Sequence, residues 1–186
     1  ARDGKPPMSW GALDRIALTA QTVLPVCCGV PQALEGPFTT GEIQRNSFET
    51  VTGGTKVRNE EHFTDAERRG ELVLDEHRDE HGTCYIVKGR GLVVISSCGH
   101  TGIVNTVKTA MKVANVDKLH AVIGGFHLGM APTDYIQHTV DELAAMAPDV
   151  VLPMHCTGAG FIDAMRRRMP DRIVGSNLGS RFTFGI

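Results

Sequence analysis

The sequence lacks the cysteine pattern of a disulfide framework. Its five cysteines are an odd number and include no CxxC pair, which also argues against a structural zinc knuckle. An unpaired set of this kind is typical of a reducing compartment. We therefore expect free thiols and, by default, a cytoplasmic location. The five are Cys27, Cys28, Cys84, Cys98 and Cys156.

Long apolar runs and a marked charge excess are also missing. No uninterrupted apolar run approaches the roughly 20 residues of a membrane helix, and residues 1–20 lack the order of a secretory signal. The formal net charge is −2, and Lys and Arg form no long stripe. The densest basic run, residues 166–168, is typical of a solvated helix face. We therefore expect neither a membrane nor a nucleic acid as partner.

Glycine is the abundant residue, with 21 in a chain of 186. This content predicts many turns and close backbone approaches. The length suits one domain, so residues 1–186 are predicted to form a single domain, with an irregular leader over residues 1–35. The chain begins at Ala1, and we interpret this start as a cut.

The second half of the chain predicts an α/β fold. Two β-branched runs, Thr83–Lys88 and Leu92–Ser97, flank the glycines of residues 89–91 and predict a hairpin. Apolar periodicity then alternates between helix and strand, so we expect a mixed sheet with helices packed on it. The elements predicted after the hairpin are a helix over 103–114, a strand over 119–123, a helix capped by Thr133, a strand over 150–153, a helix over 161–169, and closing strands at 173–174 and 181–184.

The first half is less informative, because its apolar periodicity is weak. Short strands are predicted at Thr22–Val26, Phe38–Glu42 and Leu72–Leu74. Residues 59–70 fit either a helix or an ordered loop.

Three predicted strands each end shortly before a histidine. His100, His127 and His155 follow apolar runs at residues 93–95, 122–123 and 151–153. Because the carboxyl ends of parallel strands meet at one edge of a sheet, these side chains are expected to converge. Neutral imidazole is a common metal ligand, so the pattern predicts a metal site.

Several neighbouring residues leave alternatives open. Gly99 and Gly102 flank His100 at the start of a helix, whose positive end favours an anion or phosphate. Cys98 and Cys156 fit either small core residues or, for Cys98, a metal ligand. Four of the remaining histidines are interpreted as surface or helix-face residues: His62, His77, His120 and His138. His81, which lies just before the hairpin, is the strongest functional candidate of the remaining histidines.

Three ordered motifs resemble one branch of the metallo-β-lactamase superfamily. They are residues 97–105 (SCGHTGIVN), 123–128 (IGGFHL) and 153–158 (PMHCTG). The branch is the dihydropterin-ribofuranosyl-aminobenzene phosphate synthase-like group. Residues 39–45 (TTGEIQR) with 47–49 (SFE) are similar to an upstream segment of it. The resemblance extends over residues 36–186.

The resemblance implies an αββα sandwich, of which this chain would supply the C-terminal half. The H-x-H-x-D-H loop, which is the family's first ligand cluster, is absent from the sequence. By resemblance, His155 is a metal ligand, with His100 or Cys98 beside the metals. His127 would line the substrate pocket and is our catalytic candidate. The implied cofactor is a divalent metal, with zinc first and manganese or iron as alternatives.

The function expected from these features is that of a metal-dependent hydrolase with a metal-activated water as nucleophile. A variant of this hypothesis is a related transferase that acts on a phosphate ester or a pterin. The expected substrate is therefore a small molecule, and phosphorylated molecules are included. The alternative is a non-catalytic half-domain, either a subunit that assembles with an N-terminal H-x-H-x-D-H partner or a truncated product that keeps the remnant of the fold. Assembly into a homo-oligomer is a further expectation. A third hypothesis is a cysteine enzyme that uses Cys98 or Cys156 with a nearby histidine.

Overall fold

The computed structural model describes residues 29–31, 33, 36–51, 56–58 and 72–185. Cys27, Cys28, His62, the strand predicted at Thr22–Val26, segment 59–70 and most of the 1–35 leader lie outside the described residues. The chain divides into two compact units, one of residues 1–27 and 54–75 and the other of residues 28–53 and 76–186. The single domain over residues 1–186 stays a prediction.

The described residues form seven strands and three helices. The strands are β1 (Phe38–Thr39), β2 (Lys56–Arg58), β3 (Leu72–Leu74), β4 (Gly82–Val87), β5 (Gly91–Ser96), β6 (Leu119–Gly124) and β7 (Val150–Pro153); the helices are α1 (Ile103–Ala114), α2 (Thr133–Ala145) and α3 (Ala159–Arg168). In the first unit, β2 and β3 form a two-stranded antiparallel sheet.

The second unit is built on a mixed five-stranded sheet in the order β1-β4-β5-β6-β7. Strands β4 and β5 are the predicted hairpin, with Cys84 opposite Val94. Strands β5, β6 and β7 run parallel, with Ile123 opposite Ile95 on one side and Leu152 on the other. Parallel strands joined by helical crossovers place their carboxyl ends at the same edge of the sheet. The predicted α/β fold with a mixed sheet is therefore confirmed.

The main core lies between the sheet and its helices. Val104 and Val107 of α1 and Val140 of α2 are fully buried against sheet residues such as Val94 and Val122. This packing follows from the helical spacing of the apolar residues, which gives each helix one apolar face.

A second apolar cluster covers the opposite face of the sheet. It contains Val93, Ala121, Ile123 and Leu152, with Val174 and Phe184 packed against it. All six residues of β6 are buried, because both faces of this strand are covered.

Three predicted elements differ from the structure. The strand predicted at Phe38–Glu42 ends at Thr39, because Gly41 adopts a left-handed backbone with φ of 65°. Helix α2 has Pro132 as its N-cap and no side-chain cap, so the capping role of Thr133 was wrong. At the C-terminal end, Ile173 makes only an isolated bridge with Val151.

The closing strand predicted at residues 181–184 is also wrong, since this segment is irregular. Its Phe184 nevertheless packs on the second apolar cluster. Among the described residues, no helix is both long and apolar enough to cross a membrane.

Candidate metal centre

The segments that follow β5, β6 and β7 meet at one edge of the sheet. Cys98 and His100 follow β5, His127 follows β6, and His155 and Cys156 follow β7. Because these strands are parallel neighbours, the five residues leave the sheet on the same side. These five residues are called the rim below.

Three rim residues form a compact thiol–imidazole cluster. The Sγ atoms of Cys98 and Cys156 lie 3.2 Å apart, and Cys98 Sγ lies 3.5 Å from His127 Nδ1. The possible ligand atoms of Cys98, His127 and Cys156 all lie within 4.8 Å of one another. The backbone N–H of His127 also donates to Cys156 Sγ at 3.2 Å. Two thiolates and an imidazole are a donor set that suits zinc.

The other two rim residues lie beside this cluster. The ring centroids of His100 and His127 are 4.4 Å apart. A Cβ on Gly125 would lie 2.4 Å from His155 Cε1 and 2.7 Å from Cys156 Sγ. The glycine therefore leaves the space in which His155 and Cys156 approach the end of β6.

The structure thus brings Cys98, His100, His127 and His155, which the sequence singled out, to one edge. It adds Cys156, which sequence reasoning left as a core residue or a nucleophile. The sequence feature that could have identified Cys156 as a rim residue is its position directly after His155, just past the end of a predicted strand.

Burial shifts the pKa of two members of the thiol–imidazole cluster, Cys98 and His127. It raises the pKa of Cys98 to about 12, and hydrogen bonding and charge from Cys156, together with Glu80, act in the same direction. Burial lowers the pKa of His127. The charge of His100 lowers this pKa further, whereas the charge of Glu80 raises it. Neutral imidazole is the form that binds metals, whereas the thiol must lose a proton when a cation binds.

Glu80 holds the segment that carries His100. Its Oε1 accepts from the backbone N–H of His100 at 3.0 Å, and its Oε2 accepts from that of Thr101 at 2.7 Å. The side chain is only 6% exposed, and Oε1 lies 3.5 Å from His100 Nδ1. The His100 ring also stacks on His77, with centroids 4.3 Å apart. Sequence reasoning missed Glu80 and interpreted His77 as a surface residue.

The start of helix α1 is occupied by a carboxyl group of the chain itself. Glu49 Oε2 accepts from the backbone N–H of Asn105 at 2.9 Å, and it would collide with a Cβ on Gly102. Burial raises the pKa of Glu49, while hydrogen bonds from the backbone of Asn105 and Val104 oppose this change. An acidic group of the chain itself therefore occupies the helix end at which the sequence favoured an anion or phosphate.

The remaining described histidines lie elsewhere. His120 is buried in β6 and pairs with Asp149 at 2.8 Å, which corrects its surface interpretation. His138 stacks on Phe48 with centroids 3.8 Å apart. His81, the strongest of the minor candidates, contacts the backbone oxygen of Asp79 in an exposed position.

Comparison with known proteins identifies the class of fold first. No protein-family model matches the chain. Its structure is similar to that of Tm1679, a metal-dependent hydrolase of the beta-lactamase superfamily, with a TM-score of 0.70 and 28% sequence identity. The match covers 82% of this chain and 55% of that chain. The chain therefore has the fold of that superfamily.

The sequence comparison is more particular. The chain is 37% identical over 130 residues to 7,8-dihydropterin-6-methyl-4-(beta-D-ribofuranosyl)-aminobenzene-5'-phosphate synthase of Methanocaldococcus jannaschii, a match that covers 67% of the chain and 40% of that protein. It is 35% identical over 89 residues to the uncharacterized protein MJ0448 of the same organism, covering 48% of the chain and 31% of that protein. The resemblance stated from the motifs is confirmed over part of the chain, which spans less than half the length of either relative.

Proposed function

We propose that the rim holds a divalent metal ion in a hydrolase of the beta-lactamase superfamily type. The observation that carries this proposal is the placement of two thiols and an imidazole within 4.8 Å of one another. Cys98, His127 and Cys156 would hold the metal, with His100 and His155 as further ligands on the same rim. Thiolate ligands favour zinc over manganese or iron.

This assignment shifts one role expected from the sequence. The sequence made His127 the catalytic candidate. Its Nδ1 lies 3.5 Å from the sulfur of Cys98, and this position favours a role as a metal ligand instead. Held by these residues, a divalent metal would supply Lewis-acid polarisation of the substrate and activation of a water nucleophile. Glu80 would keep His100 oriented through the backbone of its segment.

The relatives support an enzyme that acts on a small molecule. The structural neighbour is named a metal-dependent hydrolase, and the curated relative is named as a synthase of a pterin-containing phosphate ester. We propose a substrate of this general kind, an aromatic small molecule that carries an ester or phosphate ester. A pterin-type transferase reaction is the variant that the second name supports.

The half-domain hypothesis stays beside the enzyme hypothesis. It rests on the absence of an H-x-H-x-D-H motif from the sequence. Under this hypothesis, the rim supplies part of a metal site that a partner chain or a second copy completes. Metal binding without turnover by the isolated chain would support it.

The cysteine-enzyme hypothesis has one observation in its favour, the 3.5 Å contact between Cys98 Sγ and His127 Nδ1. The pKa of about 12 for the Cys98 thiol opposes it, because a nucleophilic cysteine needs a thiolate. The metal hypothesis explains the same contact and also uses Cys156.

The experiment for the proposed function is a hydrolysis assay with the zinc-loaded and manganese-loaded chain. The substrates are p-nitrophenyl phosphate, bis-p-nitrophenyl phosphate and p-nitrophenyl acetate. We expect metal-dependent turnover that His155→Ala lowers by about 100-fold or more. His138→Ala is the matched control, because its ring stacks on Phe48 and His138 is not a rim residue. Equal turnover by His155→Ala and the unaltered chain would contradict the proposal.

A further inference from the structure

An open cavity of about 710 Å³ lies beside the rim. The end of β7, the start of α3 and the segment 176–182 surround it, and His155 is the rim residue that lines it. The volume falls within the range of about 300–1,000 Å³ that is usual for small-molecule sites. The cavity is therefore large enough for a ring system next to the candidate metal centre.

The walls of this cavity are largely apolar. Met154, Ile162, Leu178 and Phe182 contribute apolar side chains to it. Met154, Leu178 and Phe182 are also three of the eight exposed large hydrophobic residues in the described part of the chain. Exposed apolar side chains that gather in one concave place are a feature of ligand-binding sites.

Apart from His155, the polar side chains of the cavity carry no charge. Ser176, Asn177 and Ser180 line it, and no Lys, Arg, Asp or Glu does so among the described residues. The turn that carries Leu178 is closed by two hydrogen bonds, from Asn177 N to Ser180 Oγ and from Ser180 N to the Asn177 carbonyl, both 3.0 Å. Such a wall can hydrogen-bond the edge of a ring but offers no counterion for a phosphate.

We propose that this cavity is a substrate subsite that binds an uncharged aromatic ring. Phe182 and Leu178 would contact the faces of the ring, and Asn177 would pair with polar groups on its edge. His155 lines the same cavity and would place the bond attached to the ring at the rim. That the bound ring belongs to a substrate that reacts at the rim rests on the proposed function. That the cavity binds such a ring does not.

Pterin is a suitable probe, because it is an uncharged fluorescent bicycle with hydrogen-bond donors and acceptors along its edge. We expect the intact chain to change pterin fluorescence with saturation. Met154→Ala and Phe182→Ala should each weaken binding by about tenfold, since each removes apolar contact with the ring. Met130→Ala is the matched control, because Met130 is 92% exposed and does not line the cavity.

The outcomes separate the subsite from the proposed function. Pterin binding that survives metal chelation and is weakened by the two cavity variants supports the subsite, even if no hydrolysis is found. Failure of the intact chain to bind pterin, or equal binding by Phe182→Ala, Met154→Ala and Met130→Ala, overturns the subsite, even if metal-dependent hydrolysis is present. Circular dichroism of each variant shows that the fold is kept.

Discussion

Glu80 contacts His100 at two points, since its Oε1 lies 3.0 Å from the backbone nitrogen and 3.5 Å from the ring Nδ1. A carboxylate in this position holds the segment through its backbone and lies beside the ring of a candidate ligand. Metal-binding histidines usually have such a partner on the ring nitrogen that does not face the metal. Glu80 is therefore a positioning residue for the proposed centre.

Removal of the Glu80 carboxylate is predicted to weaken metal binding. Glu80→Ala leaves the backbone N–H groups of His100 and Thr101 without their acceptors, and we expect the zinc Kd to rise by about 10- to 100-fold. Glu80→Gln keeps one acceptor oxygen, so its zinc Kd should lie between those of the unaltered chain and Glu80→Ala. The measurement is competition with a chromophoric chelator. Glu76→Gln, at a side chain 60% exposed, is the control, and an unchanged Kd in Glu80→Ala would refute the role.

Gly125→Ala is predicted to disturb the rim without unfolding the chain. The added Cβ would lie 2.4 Å from His155 Cε1, so the imidazole must move. We expect zinc binding to weaken by at least about tenfold, measured by the same competition. Gly175→Ala is the matched control, since a Cβ there meets nothing within 4 Å. Equal zinc affinity for both variants would show that the rim does not need this space.

Thr157→Val is predicted to loosen the two segments that carry His127 and Cys156. The Thr157 hydroxyl accepts from the backbone N–H of Phe126 at 3.2 Å, and the residue is fully buried. Its loss leaves a buried donor unpaired, which should lower the free energy of unfolding by about 1–3 kcal/mol. Urea denaturation measures this change. Thr157→Ser keeps the hydroxyl, so a loss as large as that of Thr157→Val would assign the effect to packing instead.

The pair of Asp149 and His120 predicts an acid-dependent part of the stability. The hydrogen bond from His120 lowers the pKa of Asp149 below its ordinary 3.8, with Lys118 and Arg172 acting in the same direction. A lowered pKa means that this stabilisation is present above pH 3.8 and is lost as the pH falls through the folded-state value. The partly exposed position of the carboxylate keeps the effect small.

Urea midpoints measured from neutral pH to below pH 3.8 test this linkage. Asp149→Asn should lower the midpoint at neutral pH and reduce its fall in acid. Asp141→Asn, at a side chain 54% exposed, is the control. Parallel pH curves for the unaltered chain and Asp149→Asn would show that the pair contributes nothing.

Local sequence signals predicted the sheet because its elements depend on neighbouring residues. Gly89 and Gly91 adopt positive φ on either side of Arg90, as the hairpin requires, and apolar periodicity marked the helices. The convergence of His100, His127 and His155 followed from the common direction of parallel strands.

The remaining parts of the site depend on contacts between distant residues. Glu49 reaches the start of α1 from 56 positions away along the chain, and Cys98 meets Cys156 across 58. No periodicity or motif encodes such pairs, because they form only after the sheet is assembled. Glu80 likewise acts through its side chain on a segment 20 to 21 positions away, which follows β5.

Cobalt(II) titration of the intact chain tests the proposed metal centre most directly, because thiolate ligands give a sulfur-to-cobalt charge-transfer band. The account predicts one bound cobalt per chain with this band, and its loss in the Cys98→Ser/Cys156→Ser double variant but not in Cys84→Ala, whose thiol is buried in the core. An undiminished band in the double variant, or no cobalt binding by the intact chain, would contradict the account.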